Sequence, residues 1–169
     1  MIKKLKADKD ICPQCTDRAT EAKHSAQVFG DTGAPAKLMQ WPCKLRLVPT
    51  HAPYLDGSDL LICTDCTALA HRNFHEAFMK NRITLSLCPQ LESEKCKDTL
   101  FEIISYNSIK SITLVRMEVG CCERTELLIE EVLRCVGKTI PYTKLTVSTN
   151  GKILNESHVI LKTKNNAIK

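Results

Sequence analysis

The stretch Asp59-Leu-Leu-Ile-Cys63, followed by Thr67 to Lys80 and then Ile83-Thr-Leu-Ser-Leu87, decides the fold. Its first part is a continuous apolar run, the pattern of a strand buried on both faces of a parallel sheet. Thr67 to Lys80 reads as a helix: Ala70, Phe74, Ala77 and Phe78 share one face. Arg72, Glu76 and Lys80 line the opposite face at i, i+4 spacing. Ile83 to Leu87 is the next strand. Strand, helix and strand make a βαβ unit, whose crossover is right-handed.

The same alternation continues towards the C-terminus. Ser93 to about Tyr106 reads as a helix with Leu100, Ile103 and Ile104 inward. Ile112 to Arg116 is a strand, Cys122 to Val136 a helix, and Tyr142 to Ser148 an alternating strand. Asn150-Gly151 is a hairpin turn into a last strand at Lys152 to Leu154. Upstream, Lys44 to Val48 alternates and reads as a first strand, and Pro49 to Gly57 is a proline-rich connection. The implied fold is α/β: an open, mostly parallel, doubly wound sheet, Rossmann-like or flavodoxin-like, with a C-terminal hairpin at one edge. Residues 1–40 are polar and irregular, and residues 41–169 form the α/β domain.

The 169 residues suffice for one domain with a full core. The formal charge is +5, but the lysines are scattered and no basic run interleaves with aromatics, so no nucleic-acid partner is expected. No run approaches the roughly 18 apolar residues of a membrane helix. The start, MIKKLKADKD, lacks the apolar segment of a signal peptide. A cytoplasmic chain is expected, with reduced thiols. Ten cysteines then read as metal ligands, redox groups or small core residues rather than a disulfide scaffold.

Their positions sort them. Cys66, Cys88, Cys121 and Cys122 fall just past strand carboxyl ends, and Cys63 ends its strand. Neighbouring strands lie about 4.8 Å apart, so thiols from adjacent ends can converge at the rim where such sheets bind ligands. Cys66 and Cys122 precede or open helices, whose free N–H groups favour thiolates. Pro89 keeps Cys88 in an extended loop. Four thiolates suit a cubane iron–sulfur cluster or structural zinc. Cys135 and Cys96 read as small core residues, and Cys43 falls at the opposite rim if its strand is parallel. Cys63-Thr-Asp-Cys66 and Cys12-Pro-Gln-Cys15 have the spacing of zinc ligands, a redox dithiol or a cluster fragment. His71 and His75 read as a partly buried structural pair, and Asp65 as a helix cap. No glycine-rich phosphate loop follows the first strand, which weighs against a flavin or nucleotide enzyme.

Several motifs belong to one set: Gln40-Trp-Pro, Leu47-Val-Pro, Ala52-Pro-Tyr-Leu-Asp-Gly, Asp59-Leu-Leu-Ile, Asp65-Cys-Thr-Ala-Leu-Ala70, Asn73-Phe-His75, Cys88-Pro-Gln-Leu and Met117-Glu-Val-Gly-Cys-Cys122. Together they resemble the C-terminal domain of the anaerobe iron–sulfur cluster-binding proteins that carry an N-terminal ferredoxin domain. The resemblance covers about residues 40 to 154. It implies binding of a cluster, most simply [4Fe-4S], with electron transfer or redox sensing in the cytoplasm. The recurrent cysteines of that family fall on Cys66, Cys88, Cys121 and Cys122, with Cys63 outside the pattern and held as a reserve ligand. Cys12-Pro13 matches a Cys-Pro between the two domains. The chain departs from the family in having no CxxCxxCxxxCP run, and Gly120-Cys-Cys-Glu-Arg124 replaces Pro-Cys-Cys-Gly-Gly. Without a built-in ferredoxin, either a separate protein such as a ferredoxin supplies the electrons or electron transfer has been lost.

Overall fold

Asp59–Thr64 forms β1, and its five residues from Leu60 to Thr64 are buried, on both sides of the sheet, as the continuous run requires. The computed structural model describes residues 35–92 and 95–159, together with the backbone of Arg18–Ala19. Cys12 and Cys15 lie outside the described residues. After β1 come α1 (Asp65–Ala70), β2 (Ile83–Leu87), α2 (Lys95–Tyr106), β3 (Ser111–Met117), α3 (Gly120–Val136), β4 (Tyr142–Val147) and β5 (Ile153–Val159).

The five strands form one sheet in the order β2-β1-β3-β4-β5. The first four are parallel, and β5 returns antiparallel to β4 through the turn at Asn150-Gly151. Alternate residues of β1 feed two cores. Leu60 and Ile62 join Ile112, Leu114 and the inward residues of α2 and α3. Leu61 and Cys63 face the other way, against Phe74, Phe78, Val115 and Met117. The connection from β1 to β2 thus covers one face, and those through α2 and α3 cover the other. The winding reverses between β1 and β3, which places the ligand crevice of this topology at their carboxyl ends. The α/β, doubly wound reading with a C-terminal hairpin holds.

Three local expectations are corrected. Lys44 to Val48 is not a strand: Leu45–Leu47 is a single 3-10 turn, and only Lys44 makes a bridge, to Ser86. Leu45 and Val48, three residues apart, are the buried pair, while Leu47 faces out. The helix from Thr67 to Lys80 breaks after Ala70 and resumes as a π turn at His75–Met79. There the Lys80 N–H donates to the His75 carbonyl at 3.0 Å, one residue further back than in an α-helix. That extra residue brings Met79 inward with Phe74 and Phe78, and leaves Ala77 exposed. Finally, the last strand runs to Val159 rather than stopping at Leu154.

The edge of β2 is covered by the chain that precedes β1. The buried Gln40 amide donates from Nε2 to the Thr84 carbonyl at 2.5 Å and accepts the Thr84 N–H through Oε1 at 3.3 Å. Ser86 N–H donates to the Cys43 carbonyl at 2.7 Å. These bonds satisfy backbone groups that an open edge would leave for another chain. Gln40–Trp41 also pairs antiparallel with Arg18–Ala19.

Candidate functional site

Three neighbouring strands in the order β2, β1, β3 each deliver cysteine to the carboxyl rim. Cys88 directly follows β2 and is half-buried; its carbonyl accepts the N–H groups of Leu91 and Glu92 at 3.0 and 2.9 Å, which closes a turn. Cys66 is the second residue of α1 and exposed. Cys121 and Cys122 are the second and third residues of α3, half-buried and buried. Their sulfurs lie 4.0 Å apart. All eight described cysteines are free thiols.

Burial separates these thiols chemically. Cys63 is 2 % exposed, inside the core under α1. Burial, with the Asp65 and Cys43 charges adding to it, pushes its thiol up to about 12. Cys122 was expected to profit from the start of its helix. Instead its burial raises the thiol pKa, and Thr64 and the Met117 backbone offset this only in part. A helix terminus acts over one turn, whereas desolvation acts on the whole group. Among the described residues, no three His, Cys, Asp or Glu side chains are grouped closely enough to hold one metal ion as they stand. The structure thus pairs Cys121 with Cys122, and sets Cys66 and Cys88 on the adjoining strands without joining all four.

The histidines are not a ligand pair. His71 Nδ1 lies 2.8 Å from the Gly151 carbonyl, so the ring donates there, and it packs on Phe78 with centroids 5.0 Å apart. His75, past the break, is exposed and accepts the Lys37 N–H at 3.2 Å. Asp65 is no cap either; it is the first residue of α1 and pairs with Lys44. Of the two cysteines read as core residues, Cys96 is buried, but Cys135 is exposed on the outer side of α3. Leu128 and Val132 turn inward two turns and one turn earlier, but the seam of α3 that packs on the sheet runs through Ile129, Leu133 and Val136, and Cys135 lies off it.

Sequence reasoning missed Cys43 and the charges beside it. Without a strand at Lys44 to Val48, Cys43 is not at the opposite rim. It lies against Ser86, near the carboxyl end of β2, and within electrostatic reach of Cys63. Burial raises its thiol pKa. Lys44 follows, 2.6 Å from Asp65 and 3.7 Å from the nearly buried Glu92. Burial alone would lower the Lys44 ammonium; Asp65, Glu92 and Cys88 outweigh it and raise it. No spacing rule announces this cluster, because the edge contacts of Gln40 and Cys43 create it.

No helix among the described residues is long and apolar enough to cross a membrane. The chain is 29% identical over 117 residues to an uncharacterized protein of Archaeoglobus fulgidus, covering 69% of this chain and 83% of that one. No solved structure matches it. Residues 52–169 match the family described as a Rossmann-like domain. With the strand order, the reversal of winding and that match taken together, the chain belongs to the Rossmann-like domain family.

Proposed function

We propose that this chain binds an iron–sulfur cluster through thiols of the carboxyl rim and serves in electron transfer or redox sensing. The observation that carries the reading is the placement of Cys88, Cys66 and the Cys121–Cys122 pair at the ends of three adjacent strands, beside the switch point between β1 and β3. The donor set fits such a group: soft sulfur ligands, three of them reached by solvent. Cys66, Cys88 and Cys121 would hold it, with Cys122 as fourth ligand. Cys63 fits poorly, since it is sealed in the core and resists ionisation. A bound cluster of this kind supplies a one-electron carrier.

The remaining rim residues do supporting work. Lys44 sets a positive charge near Cys88 and ties the β2 edge to α1. Phe74, Phe78 and Met117 keep water from the inner side of the rim. The resemblance to ferredoxin-fused cluster proteins supports the same reading. It adds a cytoplasmic setting and a separate ferredoxin-type electron donor.

The test is a serine series on protein reconstituted anaerobically with iron and sulfide. Cys66→Ser, Cys88→Ser and Cys121→Ser each lose most of the visible absorption and the paramagnetic signal of the dithionite-reduced protein, while Cys135→Ser keeps both. Equal signals in all four variants sink the assignment. One tightly held zinc per chain without iron would instead identify a structural thiolate site.

A further inference from the structure

The sheet is guarded at one edge and open at the other. At the β2 edge, Gln40 and Cys43 occupy backbone groups of Thr84 and Ser86. The opposite edge is β5, seven residues without a proline, and among the described residues no group bonds to its outer backbone side. Which groups face out follows from the bonds that β4 makes on its other side. The Ile112 N–H donates to the Pro141 carbonyl at 2.9 Å, and the Glu118 N–H to the Val147 carbonyl at 2.8 Å. Thr143, Leu145 and Val147 therefore turn their backbone groups towards β3, and Tyr142, Lys144 and Thr146 turn theirs towards β5. The partners of these three, Val159, Ser157 and Asn155, point back at β4. Glu156 and His158, which alternate with them, present N–H and carbonyl groups outwards.

We propose that this edge pairs with the same edge of a second copy of the chain, antiparallel about a two-fold axis at Ser157, so that two five-stranded sheets become one continuous sheet. An antiparallel ladder exchanges bonds only between residues that both face the gap, which limits the registers open to Glu156 and His158. Centred on Glu156, the ladder sets two carboxylates opposite each other. Centred on His158, it sets two imidazoles opposite each other. Centred on Ser157, Glu156 of each copy meets His158 of the other, the complementary arrangement. Within one chain the two side chains already share a face, with His158 Nε2 3.7 Å from Glu156 and both well exposed. The Thr143 hydroxyl lies 2.9 Å from His158 Nδ1 and can donate there, which leaves the ring proton on Nε2 for a carboxylate. Donor and acceptor side chains then alternate along the seam. One strand pair is a small interface, so the association is weak. β4 separates β5 from the strands whose ends carry the rim thiols, so pairing does not depend on metal there.

The experiment is sedimentation equilibrium of the full chain under reducing conditions. The mass is expected to rise from one chain towards two between about 10 μM and about 1 mM. Hydrogen exchange at Glu156 and His158 should slow over the same range. Glu156→Lys sets a cation against each His158, and His158→Glu sets carboxylate against carboxylate; each change enters twice by symmetry and should weaken association at least about tenfold. The double exchange Glu156→Lys with His158→Glu should restore it. Ser157→Cys tests the register directly. Residues opposite each other in a non-hydrogen-bonded pair have Cα atoms about 4.5 Å apart, within the span of a disulfide. Mild oxidation of that variant should link two chains at the introduced position, found by mass spectrometry and missing from the unaltered chain. The proposal is overturned by a monomer mass up to about 1 mM, by equal association of the single and double charge variants, or by no link through position 157. A monomer with slow exchange at Glu156 and His158 would also overturn it, by showing that the same chain covers its own edge. The unaltered protein alone decides whether the chains associate, even if a variant fails to fold.

Discussion

Lys44 Nζ lies 2.6 Å from Asp65 Oδ2, and this ion pair fastens the segment covering the β2 edge to the first residue of α1. The same ammonium stands 3.7 Å from Glu92, on the turn after Cys88. One side chain therefore links the approach to the sheet, the start of α1 and the loop after β2. All three border the rim that carries the thiols.

The two halves of this link should be separable by mutation. Both Lys44 and Asp65 are about one-third exposed, so Asp65→Asn should cost no more than about 1 kcal/mol. Lys44→Met should cost roughly 2 kcal/mol or more, because it also strands the nearly buried Glu92 carboxylate. Adding Glu92→Gln to Lys44→Met should restore part of the loss. Urea midpoints of the four proteins check the order; equal losses for the two single variants would show that Glu92 does not depend on Lys44.

The thiols should differ in reactivity by position. In metal-free native protein, iodoacetamide should label Cys66 and Cys135 first and Cys63 last, read by mass spectrometry of digests at timed intervals. A thiol held near 12 is about one part in ten thousand thiolate at pH 8, and Cys63 is also covered. The same shift makes stability depend on alkaline pH. The folded value lies above the ordinary 9.0, so the contribution is complete below pH 9 and is lost as pH rises towards 12. The slope from this group approaches 1.4 kcal/mol per pH unit at most, and Cys63→Ala should flatten the decline. Parallel pH curves for the two proteins would contradict the assignment.

Gly151 is fixed by two independent demands. Its φ of +82° is a conformation that side chains rarely adopt, and an added Cβ would lie 2.4 Å from the Ala70 carbonyl oxygen. The hairpin is thereby seated on the end of α1, where His71 bonds the Gly151 carbonyl. Gly151→Ala should lower stability by about 2 kcal/mol or more. A thermal melt within a degree of the unaltered protein would show that the hairpin can shift off α1 without loss.

The parts of the fold that were legible share one cause. Leu60 to Ile62, and Ile112 to Val115 apart from Thr113, are apolar on both faces, and only a doubly covered strand accepts that pattern. Leu100, Ile103 and Ile104 kept helical spacing and turned inward as expected. The misreadings arose where tertiary contacts override local pattern. Leu45, Leu47 and Val48 contain both a two-residue and a three-residue spacing, and the edge bonds of Gln40 and Cys43 select the second. The π turn at His75–Met79 has no marker in a sequence that runs smoothly through helix formers. At the site, the rim positions of Cys66, Cys88, Cys121 and Cys122 were readable because each follows an identifiable strand. The burial of Cys122, the exposure of Cys135 and the presence of Cys43 near Cys63 were not, since they depend on how helix and edge pack rather than on spacing.

The most direct test of the central claim is iron and acid-labile sulfide analysis of the full chain, purified and reconstituted under anaerobic conditions. The account predicts a coloured protein holding about four iron and four sulfide per chain, bleached by Cys66→Ser or Cys88→Ser. A colourless protein without labile sulfide after reconstitution would contradict it.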